Sequence, residues 1–147
     1  RRGDVQRMTA GSGVRHSEFN GDAKDPVEFL QIWLLPERAG LKPSYEEKRF
    51  PQAERAGAMT LIASRDGRDD SLTIHQDVDI YGAYLEGEDV VETTIDAGRG
   101  AWVQIARGAA TVNGTPVESG DGVALEDETA LRIQARGGVE ALVFDLA

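Results

Sequence analysis

The sequence predicts an all-β fold, a sandwich or barrel of many short strands, and three observations carry that prediction. From residue 71 onward, short apolar runs recur at regular spacing, each punctuated by Gly or Asp. Asn113-Gly114 lies between two such runs and is the strongest two-residue hairpin signal, because both positions of a type I′ turn need positive φ. No stretch carries a long amphipathic helical period, a heptad pattern or an internal repeat.

Composition narrows the class. A chain of 147 residues suits one domain and can bury a core without disulfides or a structural metal. Hydrophobic residues make up 40% and charged residues 29%, the balance of a folded chain rather than a disordered one. The net charge of −10 argues against a nucleic-acid partner, which is gripped by Lys and Arg, and against docking on anionic membranes. The absence of cysteine removes disulfides, Cys-ligated zinc, iron–sulfur clusters and thiol catalysis together. No apolar run approaches a membrane span, and Arg1-Arg2-Gly3-Asp4 opens without an apolar leader, so a cytoplasmic location is expected. There is no Gly-x-Ser-x-Gly elbow, phosphate loop or dinucleotide fingerprint.

Taken in order, residues 5–8 alternate as a strand, residues 9–13 form a glycine-rich turn, and residues 14–19 read as the second strand of a hairpin. Residues 20–26 are a polar loop. Residues 28–35, apolar at nearly every position and stopped by Pro36, read as a buried strand. Residues 43–51, proline at both ends and charged between, read as extended and exposed. Residues 52–57 suit a single helical turn closed by Gly57. Strands are expected over 59–63, 72–75, 80–85, 90–95, 102–105, 110–112, 123–125, 130–133 and 140–144, with Asp66-Gly67 turning the loop between the first two. Phe29, Trp33, Trp102 and Phe144 are assigned to the core. Tyr81 and Tyr84 have opposite parity, so one of them should face a partner or the mouth of the barrel.

The candidate chemistry lies at His16 and Glu18. On a strand these two side chains share a face and Ser17 takes the other. An imidazole beside a carboxylate is half of a first-row metal site, and such a site needs about three protein ligands. His75 and Asp77 repeat the spacing, but His75 reads as a hydrogen-bonded structural residue near a strand end. The acidic loops around Asp66, Asp69, Asp70, Glu86, Glu88 and Asp89 lack the spacing of a calcium loop and read as solvated charge.

Residues 11–18 (Gly-Ser-Gly-Val-Arg-His-Ser-Glu) resemble the metal-site segment of the pirin family. Leu30-Gln31-Ile32-Trp33-Leu34 with Pro36, then Pro43-Ser44-Tyr45-Glu46 and Phe50, resemble the pirin inter-domain segment. Residues 69–77 and Trp102-Val103-Gln104-Ile105 resemble the second half of bacterial pirins of the quercetin 2,3-dioxygenase type. The resemblance covers essentially the whole chain and implies a cupin-type double-stranded β-helix, or jelly roll. It implies two cupins per chain, the first holding iron through a His-x-His pair and a later His-x-Glu pair. His16 and Glu18 match the second pair, with Glu18 also the catalytic candidate that orients O2 or takes a substrate proton.

On this reading residues 1–35 are the remnant of the N-terminal metal-binding cupin, 36–57 the inter-domain segment and 58–147 the C-terminal cupin. The expected cofactor of the complete protein is Fe(II) or another divalent metal, with none stably bound by two ligands alone. The resemblance implies a dioxygenase acting on planar phenolics such as quercetin. The alternative is a non-enzymatic cupin module acting through protein contacts. An arm without its own cupin would expose strand edges and apolar surface, so a homodimer is expected, with arm exchange as one route to it.

Overall fold

The computed structural model describes residues 1–51 and 56–147. The fold is all-β: among the described residues the only helical element is a 3-10 turn at Arg68–Asp70. Twelve strands follow in order: β1 (Asp4–Thr9), β2 (Ser44–Arg49), β3 (Ala58–Ser64), β4 (Leu72–Thr73), β5 (Val78–Leu85), β6 (Val90–Thr94), β7 (Gly100–Arg107), β8 (Ala109–Val112), β9 (Thr115–Glu118), β10 (Gly122–Leu125), β11 (Ala130–Ala135) and β12 (Val139–Leu146). They form a six-stranded sheet in the order β10-β7-β12-β5-β3-β4, a four-stranded sheet β6-β11-β8-β9, and a separate ribbon β1-β2.

Alternation along the strands of the six-stranded sheet builds two cores, one on each face. Ala83, Leu85, Val103, Ile105, Ala141 and Val143 point inward against Val112, Leu131 and Ile133 of the four-stranded sheet. The residues between them, Val78, Ile80 and Phe144, point outward and form a second cluster with Ile62, Leu72 and Phe50. The cavity between Met59, Tyr81, Thr94, Ile95 and Leu131 has a volume of only about 30 Å³, the scale of a single water. Tyr81 faces this mouth, as parity required of one of the two tyrosines. The Asn113-Gly114 turn has φ of 43° and 84° and joins β8 to β9 in antiparallel register.

The ribbon is where the structure departs most from the sequence expectation. The partner of β1 is not residues 14–19 but β2, antiparallel with Asp4 opposite Arg49 and Thr9 opposite Ser44. Residues 14–19 form no strand. Gly11 has φ of 54°, and a Cβ there would collide with the backbone of Leu41 and Pro43, so the chain after β1 is packed against the returning segment rather than folded onto β1. Residues 43–51 are thus not a free extended segment. Their prolines flank β2, where a strand tolerates them, and Phe50 is buried in the outer cluster.

Residues 28–35 are not a buried strand. They pair with no strand, and Phe29 and Trp33 are 63% and 89% exposed instead of lying in the core. Trp102 is also partly exposed, lying on the outer face beside Phe144 and over Gly122; only Phe144 of the four assigned aromatics is buried. A run apolar on both faces needs cover on both faces, and local sequence cannot specify where that cover comes from. The single helical turn expected over 52–57 falls largely on residues 52–55, outside the described residues.

Candidate metal half-site

The ribbon has two faces, set by strand alternation. Val5, Arg7 and Thr9 with Glu46 and Lys48 face the C-terminal sheets. Arg7 donates to Glu46 Oε2 at 2.8 Å and to Ser44 Oγ at 2.5 Å, and the same Glu46 oxygen accepts from the Thr73 amide at 3.1 Å. Partial burial pushes the Glu46 carboxyl up, but the Arg7 and Thr73 hydrogen bonds and the charges of Arg7 and Lys48 outweigh it and hold the group below the usual carboxylate range. Lys48 pairs with Asp70, and Val5 packs on the outer cluster.

The opposite face carries Gln6, Met8, Tyr45 and Glu47, and here the structure brings His16 and Glu18. The chain leaves β1 through Ala10–Gly13, with the Gly13 amide donating to the Ala10 carbonyl at 2.8 Å. It then runs back over the ribbon as extended coil. His16 Nε2 lies 3.9 Å from Glu18 Oε1, and the two side chains are 42% and 37% exposed. Gln6 Nε2 donates to Glu18 Oε1 at 3.0 Å. The Tyr45 hydroxyl lies 2.6 Å from Glu47 Oε2 and 3.1 Å from Gln6 Oε1. The Glu47 hydrogen bond, desolvation and the charges of Glu47 and Glu18 push the Tyr45 phenol above its ordinary value.

One imidazole nitrogen and one carboxylate make a mixed N/O donor pair of the kind that suits a divalent first-row metal. They fit such an ion as two ligands of a set, and no group of three or more His, Asp or Glu able to hold a metal occurs among the described residues. His75 lies elsewhere: its carbonyl accepts from the Glu37 amide at 2.8 Å, and neighbouring Gln76 donates to the Leu35 carbonyl at 2.8 Å. Asp77, the other half of that pair, binds Arg99 at 3.0 Å.

A second concave region, about 320 Å³, opens between Arg65, Arg68, Arg99, Asp79, Asp96 and Asp145. Its cations are already engaged: Arg68 with Asp79, Arg99 with Asp145 at 2.5 Å, Arg65 with Glu37 at 2.7 Å. It ties loops together at one end of the sheets and leaves no free cation to receive an anion.

Comparison with known proteins agrees with this architecture. The family described as "Quercetinase C-terminal cupin domain" matches residues 61–146, and the family described as "Pirin" matches residues 1–34. The chain belongs to the pirin family. It is 41% identical over 145 residues to a quercetin 2,3-dioxygenase of Escherichia coli K12, covering 98% of this chain and 61% of that protein. It is 34% identical over 146 residues to a pirin-like protein of Caulobacter vibrioides, covering 99% and 62%. The crystal structure of the bacterial pirin YhhW from E. coli in complex with nickel(II) superposes with a TM-score of 0.90 at 39% identity, covering 98% of this chain and 61% of that one. A quercetin 2,3-dioxygenase structure from Acinetobacter baumannii, at 20% identity and a TM-score of 0.70, shares the fold. The chain therefore spans about three fifths of the length of the relatives it matches.

Gln6 and Tyr45 were not legible as site residues in the sequence. Gln6 looked like a solvent-facing strand position, and the pairing that brings it to Tyr45 spans 39 residues.

Proposed function

We propose that His16 and Glu18 are two ligands of a divalent metal in a pirin-type dioxygenase that, at the length of its relatives, acts on planar phenolics such as quercetin. The observation that carries the reading is their convergence on one face of the ribbon, with Glu18 held by Gln6. The name of the E. coli relative supports the reaction class, and the nickel(II) complex of its structural neighbour supports a divalent ion; iron is the ion we propose for turnover. When bound, the metal supplies the Lewis-acid and redox chemistry that such a reaction needs. The chain's own contribution is to present the imidazole and the carboxylate together, to fix Glu18 Oε1, and to keep Glu18 within reach of a phenolic proton as a general base. The cavity between Met59, Tyr81, Ile95 and Leu131, at about 30 Å³, is too small for a planar phenolic and is not the substrate site on this reading.

The test is quercetin consumption and metal content. The chain as it stands should be inactive and hold iron below one equivalent. A version joined to an upstream segment carrying the His-x-His pair implied by the family resemblance should do both, and lose both on His16→Ala or Glu18→Ala. Stoichiometric iron and quercetin cleavage in the present chain would overturn the half-site reading.

A second reading, a module acting through protein contacts, is favoured by one observation. Phe29, Trp33 and Leu35 present exposed apolar surface on a segment without a strand partner. We propose a second copy of the chain as the partner, and light scattering that shows only monomer would contradict it.

A further inference from the structure

We propose that Gln6 is a positioning residue for the Glu18 carboxylate, fixing which oxygen stays available to a metal. The inference rests on the reading of His16 and Glu18 as ligands. Its geometry is specific. Glu18 is an acceptor, so the Gln6 group facing it at 3.0 Å must be the amide nitrogen. That turns Gln6 Oε1 towards Tyr45, whose hydroxyl lies 3.1 Å away, with its single proton directed to the nearer Glu47 carboxylate at 2.6 Å. The result is one carboxylate oxygen occupied by Gln6 and directed to the side of His16, while Glu18 Oε2 has no hydrogen bond among the described residues.

The scaffold beneath is the paired ribbon of β1 and β2. Gln6 stands on β1 opposite Glu47 of β2, and Tyr45 stands diagonally across, opposite Met8. Glu18 sits outside any strand, on backbone that does not fix a rotamer by itself. An exposed amide–carboxylate bond adds little to folding, since water replaces it readily. Its consequence falls on the ligand set, because groups that orient metal ligands set affinity even when they never touch the ion.

The experiment titrates Ni(II) into the 147-residue chain, reading the broadening of the His16 ring protons, and compares Gln6→Leu, Gln6→Met, His16→Ala and Glu18→Ala. Gln6→Leu should weaken Ni(II) binding by roughly tenfold, with thermal unfolding and amide exchange in β1 and β2 unchanged. Gln6→Met, close in size but without the amide donor, should weaken it in the same direction, and it keeps the test open if the first variant disturbs the ribbon. Wild-type affinity in both variants, with binding abolished by Glu18→Ala, would overturn the role of Gln6 and leave the metal reading intact. Broadening at His16 that survives Glu18→Ala, or none in the wild type even at a large excess of Ni(II), would overturn the metal reading and the inference with it.

Discussion

The strands of residues 58–147 and the arm of residues 1–51 use the same β-strand chemistry and reach opposite outcomes. In the first region, β5 pairs with β12 and β12 with β7 along their lengths, and the inward side chains disappear between two sheets. In the second, one ribbon forms, and the apolar run in the connection between its two strands stays exposed. The difference lies in where partners come from. A hairpin such as β8–β9 carries its partner two residues away, so its turn chemistry fixes the register. Residues 28–35 carry only the demand for a partner. The candidate metal ligands belong to this second region, on a surface held by a few polar contacts rather than by a core.

The two regions meet at Phe50, so replacing it should give the largest effect. Phe50 is 2% exposed and lies in the outer cluster with Ile80 and Phe144. Phe50→Ala should cost about 4 kcal/mol in chemical denaturation and should release β1 and β2 to hydrogen exchange before the C-terminal sheets open. If exchange in both regions rises together, the ribbon is not a separable unit and the contrast drawn between them fails.

Within the C-terminal sheets, Ile133→Ala removes a fully buried side chain facing β7 and β12 and should cost about 3 kcal/mol. The loss should appear as one cooperative shift of the unfolding midpoint, with Ni(II) affinity at His16 unchanged. An altered affinity would mean that the site depends on the core and not on the ribbon alone.

The Glu46 ion pair predicts an acid dependence of the attachment between the regions. Its carboxyl is held below the ordinary value of 4.5, so the charged form is favoured by folding. That stabilisation is complete above pH 4.5 and is lost as the pH falls through the lowered folded value. Glu46→Gln should lower stability by less than about 1 kcal/mol near neutrality, since the pair is partly exposed, and should flatten the acid side of the stability profile. An unchanged profile would remove the Arg7–Glu46–Thr73 link from the account.

The smallest folding effect is expected at Trp33, which is 89% exposed. Trp33→Ser should change stability by no more than about 0.5 kcal/mol while reducing self-association measured by light scattering. A large loss of stability would show that Trp33 packs in solution.

Legibility followed the same division. Most strands after residue 71 could be read from alternation and turn residues, although partners such as β5 and β12 lie far apart in sequence. The His16 and Glu18 pair was legible from its spacing and its resemblance, although the strand invoked to bring the two side chains together is absent. Their proximity comes from extended coil crossing the ribbon and from Gln6, which the sequence could not display, because β1 finds β2 only after a long excursion. Phe29 and Trp33 were misread for a related reason: hydrophobicity reports what a residue would bury against, not whether that surface is within reach.

The most direct test of the central claim is the metal-to-protein ratio of this chain joined to an upstream segment that carries the His-x-His pair implied by the family resemblance. The account predicts one bound divalent ion per chain, dropping well below one when either His16 or Glu18 is replaced by alanine. A full equivalent of metal retained in both variants would show that His16 and Glu18 are not ligands, and the half-site assignment would fall.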